Sequence, residues 1–359
     1  VKLINQSDIL NQWFGVARIY YNHTILRLKE NHRISFYSLR KELIDKLKTQ
    51  FPYSEDTPYG IRANAIKDAY TSIMNGIKKA IKERKFIEYK FREKKDLNQS
   101  IFIPKASVKE NGIYVRILKN MDMSESIQNV DGDCRLCYKR NNGYYLSIPQ
   151  KSKTKTDSNN ITKKFATYCS IDPGIRTFAT CYTRKGVFEM GVNDCKRIDR
   201  LNHYLDKLQS EINNSNAKKK AKLRKAAQKM RDKIKNIVKE LHWKTSKFLC
   251  VNFKKIFIPE FKTQDMVIKE NRKINKKTAR NMMTWSHYLF RQRLIHQAKK
   301  YKADIYIVNE SYTSKTCSEC GHINDKLGGS KTFKCGKCGM KMDRDVNGAR
   351  NIMIRQLSL

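Results

Sequence analysis

Through about residue 98 the apolar positions recur at helical spacing. Ile9, Leu10, Trp13, Phe14, Val16, Ala17 and Tyr20 follow Ser7-Asp8, a pair able to cap a helix. The same period predicts helices over 39–47 and 63–87, separated by the Pro-Tyr-Ser-Glu-Asp-Thr-Pro break at 52–58. From 99 to about 150 the alternation shortens. Strands are predicted over 100–103, 112–118 and 144–148, with Asn-Gly turns at 111–112 and 142–143. A small β-barrel or sheet is the simplest reading, and the polar stretch 151–165 reads as a linker. Beyond it come predicted strands over 168–172, 177–182 and 187–190. Two helices follow, parted at 213–216, then a strand over 255–259, a helix over 286–299, a strand over 304–309, a cysteine-rich stretch and a last helix from about Asp345. Three strands followed by helices alternating with strands describe an α/β layered domain. The expected division is therefore 1–98 helical, 99–165 β-rich with its linker, and 166–359 α/β.

Charge changes the picture next. The 359 residues carry 75 Lys plus Arg against 34 Asp plus Glu, a net +41. A field that positive points to a polyanionic partner, most commonly nucleic acid. With 40% hydrophobic residues and the basic positions spread through periodic segments, an ordinary protein with a disordered basic tail is the weaker alternative. The densest run is 218–239, with eleven Lys/Arg and one acid, Asp232. Lys218, Lys219, Lys220, Lys222, Arg224 and Lys225 are its candidate phosphate contacts, the plainer alternative being a solvated helix face. No apolar run approaches the ~18 residues of a membrane span, so no membrane partner is expected. The chain begins at Val1 with no signal peptide behind it, and is expected to be an N-terminally shortened version of a longer protein.

The cysteines supply the most specific local signal. Cys317-x-x-Cys320 and Cys335-x-x-Cys338 are fourteen residues apart, and Gly321 and Gly339 follow the two pairs. Such paired turns bring four thiolates to one tetrahedral ion at about 2.3 Å. A shell of four thiolates leaves no open position, so zinc here would be structural; a redox or iron role is the alternative. His322 then reads as a turn residue. Cys134-x-x-Cys137 stands alone and reads first as two ordinary strand cysteines, while Cys169, Cys181, Cys195 and Cys250 read as core.

Three acids sit at predicted element ends. Asp172 ends a strand ahead of Pro173-Gly174, Glu260 ends the strand Ile256-Phe257-Ile258-Pro259, and Asp345 opens the last helix. Each alone fits a cap or strand-end role. Together they could converge on one sheet edge, where clustered acids repel unless cations join them. Two Mg²⁺ ions about 3.5–4 Å apart would suit phosphodiester hydrolysis there. Asp343 is the competitor of Asp345 and reads as a cap or a supporting group. Glu310 also lies near a strand end and could support the site, a structural role being the preferred reading.

These residues also carry a resemblance. Ser170-Ile171-Asp172-Pro173-Gly174-Ile175-Arg176-Thr177-Phe178 resembles the first RuvC motif of the TnpB superfamily, and Ile258-Pro259-Glu260-Phe261 the second. Tyr312 to Gly321 resembles its zinc-ribbon opening, Asp343-Arg344-Asp345-Val346-Asn347-Gly348-Ala349-Arg350-Asn351-Ile352 the third RuvC motif, and Trp13-Phe14-Gly15-Val16-Ala17-Arg18 with Tyr21-Asn22 the opening helix. The spelling around Asp172 and Glu260 looks closest to the eukaryotic and viral branch called Fanzor. The departure is at the start, where only Val1-Lys2-Leu3 precede the first helix although relatives usually have a wedge-domain strand there.

The resemblance implies a multidomain α/β protein: a helical recognition lobe at 1–98, a wedge β-barrel with its linker at 99–165, and a RuvC-like (RNase H fold) nuclease domain at 166–359 with a zinc ribbon at 312–342. It implies an RNA-guided DNA endonuclease encoded with a transposon. Asp172, Glu260 and Asp345 would be its catalytic Mg²⁺ ligands, and Cys317, Cys320, Cys335 and Cys338 its structural Zn²⁺ ligands. The implied partners are a guide RNA and target double-stranded DNA, with no protein partner required. Base pairing would supply sequence specificity, and the protein would read a short flanking motif. Location would be nuclear in a eukaryotic or viral setting and cytoplasmic, nucleoid-associated, otherwise. The alternatives are a guide-independent RNase-H-fold nuclease such as a junction resolvase or integrase, a catalytically silent RNA/DNA binder, and a zinc-ribbon transcription factor.

Overall fold

The structure is a computed structural model. It describes residues 1–359 except 5–6, 85, 120, 140–142, 152–165, 271, 273, 326–327, 329 and 359. All of the expected linker 151–165 beyond Lys151, and Asn142 of the second Asn-Gly turn, lie outside the described residues. The chain divides into two units, Val1–Lys151 and Ser152–Leu359.

In the first unit a short strand β1 (Lys2–Leu3) precedes helices α1 (Ser7–Glu30), α2 (Phe36–Gln50) and α3 (Tyr59–Glu83). Ser35 caps α2 by accepting from the Ser38 N–H. The Pro-rich break is a 3₁₀ turn, Pro52–Asp56. Strand β2 (Asn98–Ile103), the hairpin β3 (Val108–Lys109) and β4 (Gly112–Ile113), one helical turn α4 (Val115–Leu118), β5 (Cys134–Lys139) and β6 (Gly143–Ser147) complete it. Four strands form an antiparallel sheet in the order β1-β6-β5-β2, with β1 and β2 as edges. Lys2 and Leu3 thus supply an edge strand ahead of the first helix, pairing with Tyr145 and Tyr144.

The strand predicted over 112–118 stops at Ile113. Tyr114 adopts a left-handed conformation (φ 44°), its N–H is held by the Ser107 carbonyl at 2.7 Å, and its ring packs edge-on to Trp13. The helices and the strands share one core, in which Leu10, Trp13 and Phe14 meet Ile66, Ile101, Leu136 and Leu146. Cys134 and Cys137 are both free and lie three apart on β5, so strand alternation points them to opposite faces.

The second unit is built on a five-stranded sheet ordered β11-β10-β7-β8-β9. Its strands are β7 (Ala166–Pro173), β8 (Ala179–Thr183), β9 (Gly186–Met190), β10 (Phe253–Pro259) and β11 (Asp304–Val308). β7, β8 and β9 form an antiparallel meander, while β10 and β11 run parallel to β7. Helices α5 (Asp194–Asn213) and α6 (Ala217–Asn252) intervene before β10. Between β10 and β11 lie α7 (Thr263–Val267), α8 (Lys276–Trp285) and α9 (His287–Tyr301). The helix predicted over 286–299 is preceded by a separate one, because Ser286 turns left-handed (φ 49°) and breaks α8 from α9.

Alternation along β10 separates two packing layers. Ile256 and Ile258 face a core with Leu249 of α6 and Phe290 and Leu294 of α9, whereas Phe257 packs with Val308 and Ile352. Ile352 belongs to the last helix, α10 (Arg344–Leu357), which follows the small hairpin β12 (Thr332–Lys334) and β13 (Lys341–Asp343). Helices therefore cover both faces of the sheet. Among the described residues no helix is long and apolar enough to cross a membrane.

Candidate functional site

β7, β10 and β11 are parallel, so their C-terminal ends open on one edge of the sheet. Asp172 is the penultimate residue of β7, Glu260 follows β10 directly, and Glu310 lies two residues beyond β11. Helix α10 starts at the same edge. Asp343 is its N-cap, its carboxylate accepting from the Asp345 N–H at 2.8 Å and the Val346 N–H at 3.4 Å, and Asp345 sits in the first turn. Ser170 donates to the Ala349 carbonyl at 2.6 Å and pins β7 to α10.

Gly348 is what lets the two elements meet: a Cβ added there would lie 2.5 Å from Asp172 Oδ2. A Cβ on Gly174 would lie 3.8 Å from Asp345 Oδ2, so Asp345 flanks the turn that leaves Asp172.

Burial pushes the Asp172 carboxyl well above the usual carboxylate range, and the charges of Asp345, Glu310 and Asp343 push the same way against Arg344. Asp345 is raised by burial and then by Asp343, opposed by Arg344, Arg176 and Lys331. Glu310 is raised by burial. The structure thus brings Asp172, Asp345 and Glu310 into one electrostatic neighbourhood. Sequence reasoning gave Glu310 a structural role, and its place at the end of a third parallel strand was the signal available.

Glu260 stands differently. Its carboxylate is exposed and paired with Lys262 at 3.4 Å, and it is not among the charges acting on Asp172. Its backbone carbonyl accepts from Arg291 of α9. Phe261 beyond it is left-handed (φ 44°), a conformation that costs a non-glycine residue about 1–2 kcal/mol and persists only where neighbours hold it.

The cysteines are already gathered. Sγ atoms of Cys317 and Cys338 are 3.7 Å apart, those of Cys320 and Cys335 3.6 Å, and all four lie within 4.8 Å of one another. Four sulfurs at about 2.3 Å from one tetrahedral ion would be separated by about 3.8 Å, so the donor set fits a single zinc. Among the described residues this is the group of three or more ligand-type side chains drawn that close; the acids at the sheet edge are not. The backbone N–H groups of Cys338 and then Lys337 donate to Cys335 Sγ and lower its thiol to about 6, the charged form a metal takes. His322 takes no part, its carbonyl accepting from the Cys317 N–H as a turn residue.

The ribbon is moored to the acid edge by two asparagines whose roles the sequence did not reveal. Asn347 donates to the Thr316 carbonyl at 2.8 Å and accepts from the Ser318 N–H at 3.1 Å. Asn351 donates to the carbonyls of Thr313 and Thr316 at 2.8 and 2.6 Å. Elsewhere, the basic run lies at the start of α6, capped by Asn216. Lys218, Lys219, Lys222, Arg224 and Lys225 are exposed and Lys220 is half-buried. Among the described residues none of the six forms an ion pair.

Comparison with known proteins bears on what this edge belongs to. A family profile described as a probable transposase matches residues 151–270, and one described as Cas12f1-like, TNB domain, matches residues 287–352. The TnpB-like protein L79 of Acanthamoeba polyphaga mimivirus is 30% identical over 97% of this chain and 70% of its own length. The chain belongs to the TnpB family. The putative RNA-guided DNA endonuclease InsQ of Escherichia coli (strain K12) is 24% identical over 97% of this chain and 88% of its own. A CRISPR-Cas12f ternary complex solved by cryo-EM aligns over 96% of this chain and 81% of its own at 16% identity, with a TM-score of 0.42.

Proposed function

We propose that this TnpB-family chain is an RNA-guided, metal-dependent DNA endonuclease whose Ser152–Leu359 unit is a RuvC-like nuclease domain of RNase H fold. The observation that carries the reading is the meeting of Asp172 and Asp345 at the edge where three parallel strands end. The antiparallel meander continued by two parallel strands supports the fold assignment, and InsQ's name and the +41 charge support nucleic acid as both guide and substrate. The helices and sheet of the first unit would serve as recognition lobe and wedge.

Asp172, Glu260 and Asp345 would hold Mg²⁺, with Glu310 supporting them. Hard carboxylate oxygens are the donors Mg²⁺ prefers, and acids raised by burial and one another's charge fit a divalent cation. When bound there, divalent ions would supply activation of a water and charge stabilisation for hydrolysis of a phosphodiester. The chain's part is to fix the carboxylates. Asp172 is set by the β7–α10 contact and Asp345 by its place in the first turn. Glu260 would join them only by leaving Lys262, an exposed pair of little strength. Cys317, Cys320, Cys335 and Cys338 would hold a structural Zn²⁺. The exposed cations at the start of α6 would track phosphates.

The first test is to purify the protein with its native flanking transcript and sequence the RNA that comes with it. One structured RNA with a variable 3′ end is expected. Random fragments or none would favour a guide-independent nuclease and direct the work to junction substrates. With the RNA in hand, Asp172→Ala should reduce Mg²⁺-dependent cleavage by about a thousandfold or more while leaving guided DNA binding intact. Cleavage at the wild-type rate would overturn the site.

A further inference from the structure

The junction between α8 and α9 touches the chain just beyond both acids that end strands. Trp285 Nε1 donates to the Ile175 carbonyl at 3.0 Å, and His287 Nε2 donates to the Gly174 carbonyl at 3.1 Å. Both carbonyls belong to the turn that follows Asp172. On its other side the His287 ring meets Phe261, the left-handed residue after Glu260, edge-on at 4.9 Å. One turn further along α9, Arg291 donates to the Glu260 carbonyl itself. His287 is only 4% exposed and lies flat on Phe178, with ring centroids 5.0 Å apart and planes 5° from parallel. It is therefore a fixed post.

We infer that His287 and Arg291 form a positioning clamp that holds the Gly174 turn and the Glu260–Phe261 turn in one register, and so sets the distance at which Asp172 and Glu260 share a divalent cation. The inference rests on the reading of these acids as a metal site. It gives purpose to two features that strand pairing does not require. β7 and β10 pair with each other only as far as Ser170 and Phe257; beyond that Asp172 pairs outward with Thr180 of β8 and Pro259 outward with Val308 of β11, so no direct rung ties the two acid-bearing ends to each other. The left-handed backbone at Phe261 is also accounted for, because it brings that ring to His287. A group that acts through the backbone of ligand-bearing turns governs how tightly a metal is held more than whether the domain folds, and loss of such an outer partner costs about 10–100-fold in affinity.

The test is Mn²⁺ binding to the full chain, read by EPR from the free-ion signal, beside melting temperature in chelator. In His287→Phe the ring stack is kept and the bond to Gly174 is lost. Mn²⁺ affinity should fall about tenfold with zinc content unchanged, and His287→Gln, which keeps a donor, should recover most of it. Arg291→Met removes the other arm at a half-exposed position and should weaken Mn²⁺ binding with little change in melting. A lower melting temperature with unchanged Mn²⁺ affinity in both His287→Phe and Arg291→Met would overturn the clamp. If His287→Phe does not fold, Arg291→Met alone decides. Asp172→Ala separates the two ideas. If it abolishes Mn²⁺ binding while both clamp variants bind normally, the metal site stands and the clamp falls. If Asp172→Ala binds as wild type does, the metal site falls and takes the clamp with it.

Discussion

The ribbon and the acid edge are both metal-type donor sets in one unit, yet they are built in opposite ways. Four thiols from a short stretch of chain are brought within 4.8 Å of one another by two turns and a hairpin. The acids come from three strand ends and a helix start and stay apart, with Asp172, Asp345 and Glu310 raised chiefly by burial. A closed shell of soft sulfur needs only local geometry and supports folding. An open set of hard oxygens must keep room for water and substrate, so its spacing is left to the sheet and to Gly348.

Breaking the ribbon should give the largest effect. Cys335→Ser should abolish zinc retention and lower the melting temperature by about 10 °C or more. A folded, zinc-free Cys335→Ser protein melting as wild type does would show that the thiols are not structural. The acid edge should respond the other way, in activity before stability. Gly348→Val drives a side chain into Asp172 Oδ2, and cleavage should drop by about a hundredfold for a stability loss of about 1–3 kcal/mol. Unchanged cleavage would mean that α10 does not set Asp172.

Charge away from both sites comes next. Reversing Lys218, Lys219 and Lys222 to Glu should weaken nucleic-acid binding about tenfold and flatten its salt dependence, with zinc content and melting unaffected. An unaltered salt slope would make this stretch a solvated face.

The smallest effect concerns His242, buried beside the sheet with Nε2 donating to the Trp285 carbonyl and Nδ1 accepting from Arg293, both at 2.8 Å. Burial and then the Arg293 charge push it down to about 3. In the unfolded chain the ring takes its proton near 6.5. The stability it contributes is therefore complete above about pH 6.5 and lost as pH falls toward 3. Melting temperature should drop less between pH 7 and pH 5 in His242→Gln than in wild type; parallel curves would contradict the assignment.

Much of this was legible from residues alone, and the pattern of what was not is physical. The ribbon ligands are local in sequence, so spacing and turn residues suffice to name them. The amphipathic period of α1 and α3 and the apolar runs of β7 and β10 likewise report their own burial, whereas the apolar run of β11 leaves Tyr306 and Ile307 exposed at the sheet edge. Where the chain turned on a single residue, periodicity failed. Tyr114 ended a strand early, and ahead of the left-handed Ser286 stands α8, a helix that the predicted one over 286–299 did not include.

The two regions read as separate at 98/99 pack into one core, because amphipathic helices and a half-covered sheet each need a partner face, and here they use one another. By itself the sequence determined the charge, the thiolate shell and which acids end strands, since these depend on residue type and near neighbours. Tertiary structure alone decided that Glu310 stands beside Asp172 while Glu260 turns to Lys262. It also decided that Gly348 makes the close approach possible, and that His287 reaches both turns. Those relations join residues far apart in the chain, and only parallel strand crossovers and the packing of α9 and α10 bring them to one edge.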